Sequence, residues 1–207
     1  MEKLPKGVVL VTDNGFYTRR PLHRVLAEVA ETGLAAIELR EPALSPSKFY
    51  ELARKVKREL AGKPVKLLLQ GHPEICRELD LHGVHLEEGD PPLHQVREML
   101  GADKIIGSSL AMPAQVGPAG MPPADYFAVG PVFATRSKPC TQPEWGVTDT
   151  ASAFSRSPKP LVAAGGITAR NLPELLAAGI DRVSVVSAIL AHPQPAKAAA
   201  ELAGLMS

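Results

Sequence analysis

Short apolar runs alternate with amphipathic stretches along the whole chain, and this alternation restricts the possible folds more than any other feature of the sequence. Eight runs predict strands, at 8–12, 35–39, 65–69, 83–86, 104–107, 126–129, 160–164 and 182–186. Eight stretches with helical periodicity lie at 22–32, 46–61, 73–79, 92–100, 113–117, 148–155, 169–178 and 194–205. No change of composition interrupts the pattern, so we predict one domain over residues 1–207.

The predicted strands are too apolar to leave one face of a sheet in water, which indicates parallel strands covered by helices on their outer face. Eight strand–helix units in 207 residues favour an α/β fold with a single (β/α)8 TIM barrel. An open, doubly wound sheet is the alternative. In a barrel of this kind the ligand is bound by residues that follow the strands, so we expect the functional residues at those positions.

Charge and apolar content exclude several classes of partner. Lys and Arg number 23 against 22 Asp and Glu, which leaves no basic excess for a nucleic-acid backbone. The apolar runs have the length of strands rather than of membrane helices, and the first residues lack the apolar stretch of a signal peptide. We therefore expect a cytoplasmic protein with no nucleic-acid or membrane partner. Apolar residues in 111–123 are compatible with a homo-oligomer.

Charged side chains follow three of the predicted strands. Alternation turns Glu38 and Arg40 to the same side, towards the barrel mouth, where the Arg40 guanidinium suits an anionic substrate; an internal Glu38–Arg40 salt bridge is the alternative. His72 is a candidate acid-base group or a plain loop histidine. The acidic run that ends at Asp90 could bind Mg²⁺ or be merely solvated.

Hydroxyl groups, cations and glycines follow the last four strands. Ser109 ends the fifth and could bind phosphate or cap a helix, and the loop after the sixth carries Thr135, Arg136, Ser137 and Lys138. Gly165 and Gly166 follow the seventh strand, and Val186 and Ser187 follow the eighth. Many barrels hold a phosphate between these last two loops, so the pattern predicts a phosphorylated ligand.

Several short motifs in order resemble the thiamine phosphate synthase/TenI family from about residue 8 to residue 190. They are Val9-Leu10-Val11-Thr12-Asp13, Leu39-Arg40-Glu41, Gly83-Val84-His85-Leu86, the segment from Asp125 to Thr135, Gly165-Gly166-Ile167 and Val185-Val186-Ser187-Ala188-Ile189. The resemblance implies a cytoplasmic (β/α)8 barrel of thiamin biosynthesis that binds a thiazole phosphate at Gly166, Val186 and Ser187. It also implies one of two reactions.

The synthase branch joins hydroxymethylpyrimidine pyrophosphate to the thiazole phosphate with Mg²⁺ and releases pyrophosphate. By resemblance Ser109 and Lys138 bind pyrophosphate, Asp90 binds the metal, and residues 135–137 touch the thiazole phosphate. This chain departs from the family motif Gln-x-Arg-x-Lys, which reads Glu38-Leu39-Arg40-Glu41-Pro42, and from the family pair Asn-Asp, which reads Gln70-Gly71. One cation and one metal-binding carboxylate are therefore missing.

The TenI-like branch isomerises the thiazole carboxylate phosphate without a cofactor, and the glycine at position 71 agrees with that branch. Its proton-transfer histidine corresponds to Ala111 here. We therefore predict a TenI-like thiazole tautomerase with a displaced acid-base group, His72 or Glu38, both facing the mouth. Thiamine phosphate synthase is the alternative, and a non-catalytic protein that binds a thiazole or thiamin phosphate is the third possibility.

Overall fold

A closed barrel of eight parallel strands forms the centre of the molecule. The computed structural model describes residues 3–17, 20–117, 121–137 and 143–207. Each strand pairs with the next, and the last pairs with the first through Val8 and Val183. The strands are β1 Gly7–Val11, β2 Ala36–Leu39, β3 Lys66–Gln70, β4 Gly83–Leu86, β5 Ile105–Leu110, β6 Tyr126–Val129, β7 Leu161–Ala164 and β8 Arg182–Val185. The predicted (β/α)8 TIM barrel is confirmed, and the open sheet is excluded.

The helices surround the barrel. They are α1 Leu22–Val29, α2 Pro46–Glu59, α3 Pro73–Glu78, α4 Leu93–Leu100, α5 Gly146–Arg156, α6 Leu172–Ala177, α7 Ser187–Leu190 and α8 Pro195–Leu205. The predicted segment 113–117 is only a single 3-10 turn, Pro113–Gln115. Helix α7 was not predicted, because four residues are too short to display a helical period. Within the described ranges, no helix has the length and apolar content needed to cross a bilayer.

Alternation along each strand divides the apolar side chains into two layers. Ile37 and Leu39 of β2 point outwards and pack against the helices. The inner layer fills the lower part of the barrel with Leu4, Val9, Ala36, Leu68, Ile105, Tyr126 and Val162. Burial of each large aliphatic side chain contributes about 2 kcal/mol, so the two layers stabilise the scaffold that positions the loops above them.

Candidate active site

A cavity of about 910 Å³ opens at the carboxyl ends of the strands. Ten residues singled out from the sequence lie in its wall: Glu38, Arg40, Ser109, Thr135, Arg136, Ser137, Gly165, Gly166, Val186 and Ser187. Lys138 lies outside the described residues. The barrel therefore gathers side chains from distant parts of the sequence around one space, at the end of the barrel where such folds bind their ligands.

The two glycines after β7 allow the loop after β6 to approach the backbone. A Cβ at Gly165 would lie 2.7 Å from the Pro131 Cβ, and one at Gly166 would lie 2.4 Å from the Ala134 carbonyl oxygen. Both residues also have positive φ, 98° and 64°, a region that costs side-chain-bearing residues energy. The Gly165 carbonyl accepts a hydrogen bond of 3.2 Å from the Phe133 N–H. The two glycines thus allow the loop after β6 and the loop after β7 to pack against each other at the cavity.

Helix α7 begins at Ser187, directly after β8 and at the cavity wall. Across from it, the Thr135 hydroxyl accepts a hydrogen bond of 3.3 Å from the Ser137 N–H, and the Arg136 side chain is exposed. Hydroxyl groups, a guanidinium and a short helix after the eighth strand are the groups that bind phosphate in barrels of this architecture. This side of the cavity is suited to a phosphate monoester.

Arg40 pairs with Asp13, which lies two residues beyond the end of β1. Its guanidinium donates to the Asp13 carboxylate at 2.6 Å, and both side chains are largely buried. The considered Glu38–Arg40 salt bridge is therefore replaced by a bridge to Asp13, because β1 and β2 are neighbours and their ends meet. Alternation nevertheless turns Glu38 and Arg40 to the cavity as expected. The bridge orients Arg40 while its other N–H groups stay available for an anion.

Glu41 follows Arg40 and is buried, with 4% of its surface exposed. Among the described residues, neither carboxylate oxygen of Glu41 has a hydrogen bond of good geometry. The nearby Thr12 hydroxyl donates instead to the Arg40 carbonyl at 3.1 Å. Burial raises the pKa of Glu41, and the proximity of Thr12 and of Tyr17 offsets only part of this effect.

Three polar side chains form a chain of hydrogen bonds in the cavity floor, and two of them had no role in the sequence analysis. His85 Nδ1 lies 2.9 Å from the Tyr126 hydroxyl, and His85 Nε2 lies 2.9 Å from Ser109 Oγ. His85 and Tyr126 are buried, whereas Ser109 is exposed to the cavity. The alternation that identifies Glu38 also turns His85 inwards, so the signal was present on β4.

The strand register explains how Tyr126 reaches His85. Gly107 of β5 pairs with His85 on one side and with Tyr126 on the other. A Cβ at Gly107 would lie 2.1 Å from the Tyr126 Cζ. The ring therefore occupies the space that a side chain on β5 would fill, which brings its hydroxyl across β5 to the imidazole.

Comparison with known proteins identifies the group to which this barrel belongs. A family model described as thiamine monophosphate synthase, TMP-TENI, matches residues 8–189. The chain belongs to the TMP-TENI family. A protein of Vibrio parahaemolyticus named thiamine-phosphate synthase is 34% identical over 89% of this chain and 91% of that protein. One of Vibrio campbellii with the same name is 36% identical over 89% and 91%.

A solved structure agrees with the fold. The thiamine phosphate pyrophosphorylase from Pyrococcus furiosus superposes with a TM-score of 0.84, covering 99% of this chain and 96% of that one, at 24% identity. At this identity the likeness supports the barrel alone. Membership of the TMP-TENI family makes the chain an enzyme of thiamine biosynthesis and confirms the resemblance stated above.

One residue expected at the mouth of this TMP-TENI barrel lies elsewhere. His72 is absent from the cavity wall, so the prediction that it faces the mouth is wrong. Its φ is 52°, its ring packs on Phe49 with centroids 4.6 Å apart, and its Nδ1 lies 3.3 Å from Glu74. The left-handed backbone at His72 turns the side chain towards α2. Ala111 does lie in the wall, where it presents a methyl group.

Asp90 lies beside the wall, next to the position of the missing family carboxylate. One carboxylate oxygen accepts the Glu87 N–H at 2.8 Å, and the other would lie 3.0 Å from a Cβ at Gly71. Over the described residues, no three His, Cys, Asp or Glu side chains are grouped as a metal site. Mg²⁺ in proteins is often held by one or two carboxylates together with substrate phosphates. Asp90 suits that arrangement.

Proposed function

We propose that the chain is a thiamine phosphate synthase that joins hydroxymethylpyrimidine pyrophosphate to a thiazole phosphate. The observation that carries the proposal is the 34–36% identity, over about nine-tenths of both chains, to proteins named thiamine-phosphate synthase. This reverses the order of the two reactions predicted from the sequence, since no relative described above carries a tautomerase name. A cytoplasmic location and a homo-oligomeric state remain predictions.

The cavity supports a reaction between two phosphorylated substrates. At about 910 Å³ it lies near the upper end of the range for small-molecule sites. Ser187 and the β7 glycines border one part of the cavity. The other part is bordered by Arg40, which follows β2 and lies two strands from β8, and by Ser109 of β5, which lies two strands from β7. One part suits the phosphate of the thiazole, and the other suits the pyrophosphate.

Release of pyrophosphate places negative charge on the leaving oxygens. Among the described residues, the Arg40 guanidinium and the Ser109 hydroxyl would stabilise that charge, and Arg40 is already oriented by Asp13. Mg²⁺, held by Asp90 and the pyrophosphate oxygens, would supply further charge neutralisation. Because the second family carboxylate is Gly71 here, we expect tight Mg²⁺ binding only together with pyrophosphate.

The test is synthesis of thiamine phosphate by the purified protein from the two substrates with Mg²⁺. We expect product and pyrophosphate in equal amounts, loss of turnover with a chelator, and recovery when Mg²⁺ is restored. Arg40→Ala, purified in parallel, controls for synthase activity carried over from the host. Absence of product above that control, with both substrates and Mg²⁺ at saturation, would overturn the proposal.

The glycine at position 71 favours a second candidate function, that of a thiazole phosphate tautomerase. Position 71 lies beside Asp90, so the chain carries one carboxylate at this pair of positions, where the synthase pattern of the family has two. A reaction without a metal ion would need no second carboxylate. Of the two proposed acid-base residues, Glu38 lies in the cavity wall, and His72 does not. Conversion of the thiazole carboxylate phosphate in the presence of a chelator, followed by NMR, would support this candidate.

A further inference from the structure

We propose that Tyr126 and His85 are positioning residues that hold Ser109 as a hydrogen-bond donor towards an anionic group of the ligand. The inference rests on the proposed function for the identity of that group, a pyrophosphate. It concerns a chain of three hydrogen-bonding groups that runs from the barrel interior to the cavity.

The donor–acceptor direction of these hydrogen bonds follows from the Tyr126 phenol at their buried end. A buried hydroxyl must donate its proton, and His85 Nδ1 is the acceptor at 2.9 Å in the described part of the chain. Burial, with a smaller contribution from the Glu38 carboxylate, raises the pKa of Tyr126 well above its usual value. The phenol therefore stays protonated and remains a donor.

The imidazole transmits this direction to the serine. A neutral histidine that accepts at Nδ1 carries its proton on Nε2. Nε2–H then donates to Ser109 Oγ at 2.9 Å, which occupies a lone pair of that oxygen and leaves its own proton to be donated elsewhere. Because Ser109 is exposed to the cavity, that proton is available to a ligand oxygen.

The packing of Tyr126 against Gly107 is what permits its hydrogen bond to His85. Tyr126 reaches His85 only because β5 carries Gly107 between them, and a Cβ there would overlap the ring. The two rings lie 5.5 Å apart, tilted by 36°, so the contact is directed through the hydroxyl rather than stacked. The floor of the cavity is thus built around a hydrogen bond rather than around apolar packing alone.

The first test measures the tautomer directly by two-dimensional ¹⁵N–¹H NMR of the histidine side chains at neutral pH. We expect His85 to be protonated at Nε2 in the wild-type protein. In Tyr126→Phe the donor that selects this tautomer is lost, and we expect a mixture of the Nδ1–H and Nε2–H forms. A wild-type spectrum with the proton on Nδ1, or a tautomer that Tyr126→Phe leaves unchanged, would overturn the proposal.

The second test measures binding of inorganic pyrophosphate with Mg²⁺ by isothermal titration. In Tyr126→Phe, Nε2 is an acceptor in the Nδ1–H form and competes there for the Ser109 proton, so we expect weaker binding, by up to about tenfold. His85→Gln supplies an amide donor in place of Nε2–H, and we expect it to bind within about threefold of wild type, whereas His85→Leu should resemble Tyr126→Phe.

A double-mutant cycle separates positioning from mere structural support. In a Ser109→Ala background, Tyr126→Phe should have no further effect on pyrophosphate binding. An equal effect in both backgrounds would show that Tyr126 acts on the fold rather than through Ser109. Absence of pyrophosphate binding by the wild-type protein would show that pyrophosphate is not the anionic group that Ser109 contacts, and it would overturn the proposal. Neither result depends on turnover, so failure of the synthase assay is distinguished from failure of this proposal.

Discussion

Two groups of loops form the cavity wall, and they differ in how completely they match the family pattern. The β6–β8 half consists of residues 135–137, Gly165, Gly166 and Ser187, and all of these described residues line the cavity. The β2–β4 half consists of Glu38 and Arg40 in the wall and of Gly71 and Asp90 beside it. It keeps the arginine and one of the two metal-binding carboxylates of the family pattern, and it lacks the other carboxylate and the lysine. We therefore expect the β6–β8 half to bind a phosphate as the family pattern implies, and the β2–β4 half to bind pyrophosphate with fewer charged groups than that pattern has.

Removal of Arg40 is the strongest test of the β2–β4 half. Because Arg40 is its remaining described cation in the cavity wall, we expect Arg40→Ala to lower kcat/KM for thiamine phosphate synthesis about 100-fold. Arg24→Ala removes an exposed arginine that pairs with Glu59 on the outer surface, and it should leave turnover unchanged. Steady-state kinetics decide, and a loss below threefold in Arg40→Ala would contradict the assignment.

A methyl group at Gly166 tests the β6–β8 half. Gly166→Ala should force the loop after β6 away from β7 and destabilise the protein by about 2 kcal/mol. The new Cβ would lie 2.4 Å from the Ala134 carbonyl oxygen, and the residue would keep a positive φ that strains an alanine. Thiazole phosphate should bind about tenfold more weakly.

The matched control is Gly62→Ala, which has φ of 78° and open space around its Cβ. It carries the backbone strain without the clash, so we expect a loss of about 1 kcal/mol in denaturant unfolding and unchanged binding by titration. Equal effects of the two variants on binding would show that the glycine loop is not part of the phosphate site.

Restoration of the missing carboxylate sharpens the comparison. In Gly71→Asp the new carboxylate would lie beside Asp90, and we expect a loss of about 1 kcal/mol without Mg²⁺ because the two negative charges repel. Added Mg²⁺ should raise the melting temperature of this variant more than that of wild type. Gly71→Asn, of the same size but uncharged, is the control; the same response in both variants would argue against a metal site here.

The buried Glu41 gives the smallest expected effect. Its raised pKa means that the folded state binds the proton more tightly than the unfolded state, so its contribution to stability is full below the ordinary value of 4.5 and is lost as pH rises through the raised pKa. At pH about 7 we expect Glu41→Gln to be more stable than wild type by about 1 kcal/mol.

Thermal unfolding as a function of pH measures this difference. The stability gap between Glu41→Gln and wild type should shrink as the pH falls towards about 4, where both side chains are neutral. A gap that is constant across this range would mean that Glu41 stays protonated throughout or that its charge is compensated.

Periodicity predicted the scaffold well because strand and helix patterns depend on burial that repeats along the chain. It also predicted that Glu38 and Arg40 share a face, since alternation is a local property of β2. The partner of Arg40 was not predictable in the same way. Asp13 lies 27 residues away and becomes its neighbour only through strand pairing.

His72 and His85 show that patterns within one segment of the sequence do not predict every residue of a site. His72 looked favourable by position, but the left-handed backbone at Gly71 and His72 turns its side chain out of the cavity. His85 had no assigned role, although it contacts both Tyr126 and Ser109. That contact depends on Gly107 lying between two strands, which is a property of the barrel register and not of any one segment.

Closure of the barrel by pairing of β1 with β8 has a consequence for synthesis of the protein. Gly7 pairs with Arg182, so the first strand has an unpaired edge until nearly the whole chain has left the ribosome. Neighbouring strand–helix units can form earlier because their contacts are short in sequence. The glycine loop and Ser187 emerge among the last elements, so ligand binding becomes possible only at the final step of folding, when a phosphorylated ligand would favour the closed barrel by mass action.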